Sequence, residues 1–93
     1  MIYARFVKEP DIEALVALLK QHYKNIEWGR QGEDWIWIYR ADMKVEIDNF
    51  SAMIHEIKSP SQNRRLVKQV ITKLSEHYEL EVLPEPILEA HEE

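Results

Sequence analysis

The sequence predicts a single α+β domain, a ferredoxin-like two-layer sandwich in which a mainly antiparallel sheet carries both helices on one face. Three observations lead to this prediction. The 93 residues, 45% of them hydrophobic, suffice for one core but not for two. Two segments place apolar residues at helical spacing, and segments with the composition of strands surround them. The predicted order of elements is therefore β-α-β-β-β-α-β.

The chain begins with a predicted strand and a predicted helix. Residues 2–7 are rich in β-branched and aromatic side chains, which favour a strand. Pro10 suits the first turn of a helix, and the carboxylates of Asp11 and Glu13 suit its positive end. The apolar stripe of this first helix consists of Ile12, Leu15, Val16, Leu19 and Tyr23.

A β-hairpin in the middle of the chain decides where several large aromatic side chains lie. Residues 35–40 are apolar on both faces of a strand, whereas residues 43–48 alternate between apolar and charged side chains. A two-residue turn at Ala41 and Asp42 opposes Arg40 to Met43 and directs the isoleucines of the first strand to the core. The face away from the helices then carries Trp35, Trp37 and Tyr39. A three-residue loop would shift the register by one and bury the tryptophans instead.

The remaining elements follow from turn residues and a second apolar stripe. Gly29 and Gly32 predict a loop at residues 28–33, and the composition of residues 52–58 predicts a strand. A second helix opens at residues 59–61, and its stripe is Val67, Val70, Ile71, Leu74 and Tyr78. Residues 79–83 form a short last strand, because Pro84 and Pro86 disfavour regular structure after it. The predicted domain is thus residues 1–83, followed by an acidic C-terminal tail at residues 84–93.

Composition narrows the class of protein. The chain has no cysteine, which excludes a disulfide scaffold, a thiol nucleophile and cysteine-based zinc sites. It lacks a signal-peptide pattern and any apolar run long enough to cross a membrane, which predicts a cytoplasmic protein without a membrane partner. The four histidines fall at no metal-binding spacing, and the sequence has no glycine-rich phosphate loop. We therefore predict neither a metal nor a cofactor.

The predicted aromatic surface indicates binding rather than catalysis. Outward-facing Trp35, Trp37 and Tyr39, extended by Trp28, would form an apolar patch that monomers seldom leave in contact with water. A second copy of the chain or another protein is the predicted partner, which makes this a non-catalytic binding or adaptor domain. Coverage by the protein's own C-terminal tail, through Ile87 and Leu88, is an alternative.

Charge defines a second candidate surface. The net charge is −5, but beyond residue 75 the chain has seven glutamates and no lysine or arginine, so the basic residues concentrate earlier. Hydroxyl groups and cations at the start of the second helix indicate an anion-binding patch, formed by Ser61, Arg64, Arg65 and Lys68. The alternative is that these side chains only solvate the outer face of the helix.

Two further classes of function remain open at this point. A small oligomeric enzyme would use His55, Glu46 or Glu56 in a pocket beside the aromatic residues. A nucleic-acid adaptor would use the basic second helix. Nucleic acid is disfavoured because Glu46 and Asp48 flank the rings on which bases would stack, and their charge would repel phosphates. The basic helix lies on the opposite side of the predicted sheet.

Overall fold

Six strands and two helices make up the chain in the computed structural model, which describes residues 1–50, 53–60 and 64–88. In chain order they are β1 (Ile2–Phe6), α1 (Ile12–Lys20), β2 (Asn25–Gln31), β3 (Glu33–Arg40), β4 (Met43–Asp48), β5 (Glu56–Lys58), α2 (Arg65–Ser75) and β6 (Leu80–Ile87). The strands form one sheet in the order β2-β3-β4-β5-β1-β6, and all neighbours pair antiparallel. The predicted α+β class is confirmed.

One cluster of buried side chains joins both helices to the sheet. The predicted stripe of α1 is buried throughout, and Asp11 caps this helix by accepting a hydrogen bond from the backbone N–H of Glu13 at 3.1 Å. In α2 the buried residues lie at helical spacing as well, at Leu66, Val67, Val70 and Leu74. Strands β3, β4 and β5 contribute Ile36, Ile38, Val45, Ile47 and Ile57, each fully buried.

Strand β2 occupies the segment for which the glycines predicted a loop, so that prediction was wrong. β2 and β3 pair without a break from Asn25 opposite Tyr39 to Gln31 opposite Glu33. Only Gly32, with a φ of +78°, forms the turn between them. Hydrogen bonding to β3 therefore outweighs the weak strand propensity of residues such as Asn25 and Gly29.

Strand β6 also departs from the prediction, because it continues through both prolines to Ile87. It lies at the edge of the sheet and pairs only with β1, where proline is tolerated. The pairing is irregular between Ala4 opposite Val82 and Ile2 opposite Ile87, and both prolines fall in this stretch. The strand thus crosses the predicted boundary after residue 83, while residues 89–93 of the predicted tail lie outside the described residues.

The elements around α2 are shorter than predicted. β5 starts at Glu56 rather than at residue 52, and α2 starts at Arg65 rather than at residues 59–61. Ser61, one of the predicted anion-binding residues, lies outside the described residues. Among the described parts of the chain, neither helix is long and apolar enough to span a membrane.

Candidate functional site

The hairpin of β3 and β4 has the register predicted from a two-residue turn. Arg40 pairs with Met43, and Ala41 takes a positive φ of 54° to close the turn. The isoleucines of β3 are fully buried, whereas Trp35, Trp37 and Tyr39 are half-buried on the opposite side of the strand. The prediction that these three aromatic side chains point away from the core is confirmed.

These rings lie against one another and against the sheet. The ring centroids of Trp35 and Trp37 are 4.6 Å apart with an interplanar angle of 42°. Nζ of Lys44 lies 4.1 Å from the ring centroid of Trp37 and 5.7 Å from that of Tyr39, within reach of cation–π attraction. We call Trp35, Trp37, Tyr39 and Lys44 the aromatic face. The contacts among these four side chains bury part of the surface of each ring.

Gly29 makes room for the ring of Trp35. The two residues are paired across β2 and β3, and a Cβ atom built at Gly29 would lie 2.6 Å from Nε1 of Trp35. That distance is far below van der Waals contact, so any larger residue at position 29 would displace the indole. A glycine within a strand often marks this kind of close approach.

Replacing Gly29 by alanine should therefore separate the two indoles. We expect the Trp35–Trp37 exciton couplet in far-ultraviolet circular dichroism to weaken, and the free energy of unfolding to fall by about 1 kcal/mol. Gly32→Ala is the matched control: its positive φ also penalises a side chain by about 1 kcal/mol, but nothing lies within 4 Å of the added atom. An unchanged exciton couplet in Gly29→Ala would contradict the packing of Trp35 on Gly29.

Trp28 does not belong to the aromatic face. It pairs with Ile36, and directly opposed residues in antiparallel strands project to the same side of a sheet. Trp28 is therefore on the side of the buried isoleucines, where it packs against the hydrophobic core. Contrary to the prediction, Trp28 does not extend the surface formed by Trp35 and Trp37, because its place in β2 directs it to the other side of the sheet.

Beside the aromatic face, the same side of the sheet carries a buried network of charges. Asp48 pairs with Trp35 on one side and with Glu56 on the other. Asp48 is only 3% exposed and Glu56 only 1%. Nζ of Lys58, itself 4% exposed, lies 2.7 Å from Oδ1 of Asp48 and 3.8 Å from Oε1 of Glu56. Nε of Arg5 lies 3.0 Å from the other oxygen of Glu56. Sequence alternation alone had indicated that such residues face solvent.

His55 forms a separate polar pair with Asp34. Its Nε2 lies 2.8 Å from Oδ2 of Asp34, and His55 is only 2% exposed. The imidazole packs edge-on against the core residue Phe6, so it is on the other side of the sheet from Glu46 and Glu56. Nδ1 is buried and has no hydrogen-bond partner among the described residues. The structure therefore does not bring together the three residues considered for an enzyme site.

A small pocket adjoins this pair, and Lys8 and Glu9 are among the residues that line it. It has a volume of about 80 Å³ and is lined by residues 6–9 and 53–55. Nε2 of His55 is occupied by Asp34, and Asp34 in turn lies 3.7 Å from Nε of Arg30. These contacts tie β2, β3 and the residue before β5 together. The arrangement supports a structural role for the pair.

The described residues of the predicted anion-binding patch have different surroundings. Arg64 lies over the ring of Tyr3, with its guanidinium carbon 5.8 Å from the centroid, and Lys68 is exposed on α2. Arg65 instead lines a pocket of about 270 Å³ together with Arg40 from the hairpin. Arg40, which sequence patterns did not single out, is thus the cation that the fold adds to this region.

No group of three or more metal-binding side chains occurs within residues 1–50, 53–60 and 64–88. No protein-family model, curated protein or solved structure matches the chain. Functional conclusions therefore depend on the contacts of the side chains themselves.

Proposed function

We propose that the chain is a non-catalytic protein-binding domain and that its contact surface is the aromatic face. The observation that carries this proposal is the row of Trp35, Trp37 and Tyr39 on the side of the sheet away from the core cluster. Large aromatic side chains on an open surface are typical of protein interfaces, where each buries on the order of 150–250 Å². The separation of His55 from Glu46 and Glu56 on opposite sides of the sheet supports a non-catalytic role.

The proposal assumes that helices cover only one side of the sheet, in a ferredoxin-like arrangement. Two features support it. The units β1-α1-β2 and β5-α2-β6 each connect strands that run in the same direction. Buried residues of both helices belong to a single cluster with Ile36 and Ile38, whereas Trp35 and Trp37 do not belong to it.

A second copy of the chain is the partner that fits this surface best. Trp37 lies between Glu27 on β2 and Glu46 on β4, while Lys44 lies over the Trp37 ring. The face therefore contains rings, a cation and carboxylates, so that two copies related by a two-fold axis can place each group against a complementary one. The same two carboxylates disfavour stacking of nucleic-acid bases on Trp37, because they repel phosphates. A cytoplasmic location remains a prediction from composition.

The mass of the protein in solution tests this proposal. We expect the average mass to rise toward that of a dimer between about 10 µM and about 1 mM, the range in which contacts worth roughly 4–7 kcal/mol saturate. Trp37→Asp should remain monomeric over the same range, because it places a carboxylate between Glu27 and Glu46. Sedimentation equilibrium measures both.

Met53→Asp is the matched control for this experiment. Met53 is 90% exposed and lines a pocket with Phe6 and His55 rather than the aromatic face, so the same new carboxylate there should leave association unchanged. A wild-type protein that stays monomeric at every concentration would contradict self-association. Equal losses in the two variants would show that the contact does not depend on the aromatic face.

A further inference from the structure

Arg40 lies at the end of the β3–β4 hairpin between two pockets. The first, of about 270 Å³, is lined by Arg40, Ala41, Met43, Arg65, Leu66 and Gln69. The second, of about 230 Å³, is lined by His22, Tyr23, Lys24, Asn25, Tyr39, Arg40 and Ala41. Arg40 and Ala41 line both pockets, so the pockets adjoin at the end of the hairpin, and each is slightly smaller than the usual range of small-ligand sites, ~300–1,000 Å³.

Within residues 1–50, 53–60 and 64–88, no carboxylate forms an ion pair with Arg40. Its Nη1 donates to Oε1 of Gln69 at 2.6 Å, and its guanidinium carbon lies 5.6 Å from the ring centroid of Tyr23. Both partners are uncharged. Asp42 is in the same turn but forms no ion pair with Arg40, and no carboxylate is among the described residues that line either pocket.

The other arginines of the sheet are arranged differently, which sets this region apart. Arg5 pairs with Glu56 at 3.0 Å, and Arg30 lies 3.5 Å from Glu13 and 3.7 Å from Asp34. In a chain with a net charge of −5, carboxylates are plentiful. The hairpin end is therefore a local concentration of positive charge on an acidic protein, which attracts anions.

We propose that this end of the sheet binds a small organic phosphate. The planar guanidinium of Arg40 has donors beyond Nη1 that match two phosphate oxygens, and Arg65 supplies a second cation at the wall of the first pocket. The organic part lies in the second pocket, where Tyr23, Tyr39 and His22 provide flat walls for a planar ring. The site does not require self-association, although Tyr39 lines the second pocket and also belongs to the aromatic face. Arg40, rather than Arg64 or Lys68, is the residue that holds the anion.

The hydroxyl of Tyr23 completes the chemistry of the second pocket. Burial raises the pKa of Tyr23 above its ordinary value, and the nearby Arg40 guanidinium opposes this rise only in part. The hydroxyl therefore remains protonated at neutral pH and is available as a donor. Lys24 lines the same pocket and adds a cation.

Titration with phenyl phosphate, followed by 15N–1H NMR, tests the proposal. We expect saturable shifts centred on the backbone amides of Arg40 and Ala41, and weaker binding of inorganic phosphate, which has no ring. In Arg40→Gln the Kd for phenyl phosphate should rise about tenfold, as expected for loss of a charge-assisted hydrogen bond. Arg40 is exposed at the last position of β3, so this variant should keep the fold.

Lys68→Gln is the charge-matched control, since Lys68 is exposed and lines neither pocket. Its Kd should change by less than about twofold. Equal weakening in both variants, or the same shifts with sodium chloride at matched ionic strength, would show diffuse attraction and overturn the site. Absence of shifts would overturn it as well, and equal affinity for inorganic and phenyl phosphate would overturn the role of the second pocket.

Discussion

An Ile38→Asp variant should fail to fold, whereas a Trp37→Asp variant, altered one position earlier on the same strand, should keep the native fold. Ile38 is fully buried, so the new carboxylate would lose its hydration without gaining a partner. The cost of such a burial exceeds about 5 kcal/mol, comparable with the whole stability of a small domain. Trp37 is half-buried on the other side, and its loss removes contacts with Trp35 and Lys44 worth about 1–2 kcal/mol.

Far-ultraviolet circular dichroism and urea denaturation of both variants measure this difference. Trp37→Asp should show a cooperative transition at a lower midpoint than the wild type, and Ile38→Asp should show none. Two variants of similar stability would contradict the separation of β3 into a core side and an aromatic side. Both variants introduce aspartate, and the two positions are adjacent, so the difference in stability reports on the side of β3 that each residue occupies.

Replacing Lys58 by methionine should lower the free energy of unfolding by about 3–5 kcal/mol, because it leaves the carboxylate of Asp48 buried without its cation. Adding Asp48→Asn to this variant should recover more than half of the loss, since the remaining carboxylate, that of Glu56, keeps Arg5 at 3.0 Å. Asp48→Asn alone should also destabilise, since it removes the closest carboxylate from a buried ammonium group.

Denaturation of the wild type, the two single variants and the double variant forms a double-mutant cycle. A coupling energy of at least about 1 kcal/mol is expected for residues in direct contact within one network. Additive effects would contradict a direct interaction between Lys58 and Asp48 and would assign the loss to packing of the lysine stem instead.

The pairing of β3 with β4 was predictable because the alternation of residues in β4 and the length of the turn together determine the register. Alternation in residues 43–48 identifies which side of β4 is buried, and a two-residue turn at Ala41 and Asp42 transmits that parity to β3. A two-residue turn places Ile36 and Ile38 on the core side, whereas a three-residue loop would place the tryptophans there. The direction of Trp35, Trp37 and Tyr39 therefore follows once the length of the turn is known.

Strand β2 and the position of Trp28 were not predictable in the same way. The strand contains Asn25, Glu27, Gly29 and Gln31, whose intrinsic preferences are for turns or helices. It exists because β3 offers a complete row of hydrogen-bonding partners and because the indole of Trp35 covers the glycine. Both reasons depend on tertiary structure. The side of the sheet on which Trp28 lies is defined only once β2 is known.

The polar pairs inside the protein were missed for a related reason. Asp34 and His55 are 21 residues apart and meet only through the sheet order, so no spacing rule connects them. Glu56 and Lys58 alternate with Ile57, a pattern typical of a solvated face. The opposite charges of these two residues and of Asp48 on the neighbouring strand were the one indication of a network.

The two outer margins of the sheet differ in whether they can act as a template for another chain. β6 contains Pro84 and Pro86, which have no amide hydrogens, so it cannot present an unbroken row of donors. β2 contains no proline and pairs evenly along its whole length with β3. Edge-to-edge pairing would consequently join two molecules through their β2 margins and end there, because the β6 margins left at the outside of the pair cannot add a further strand.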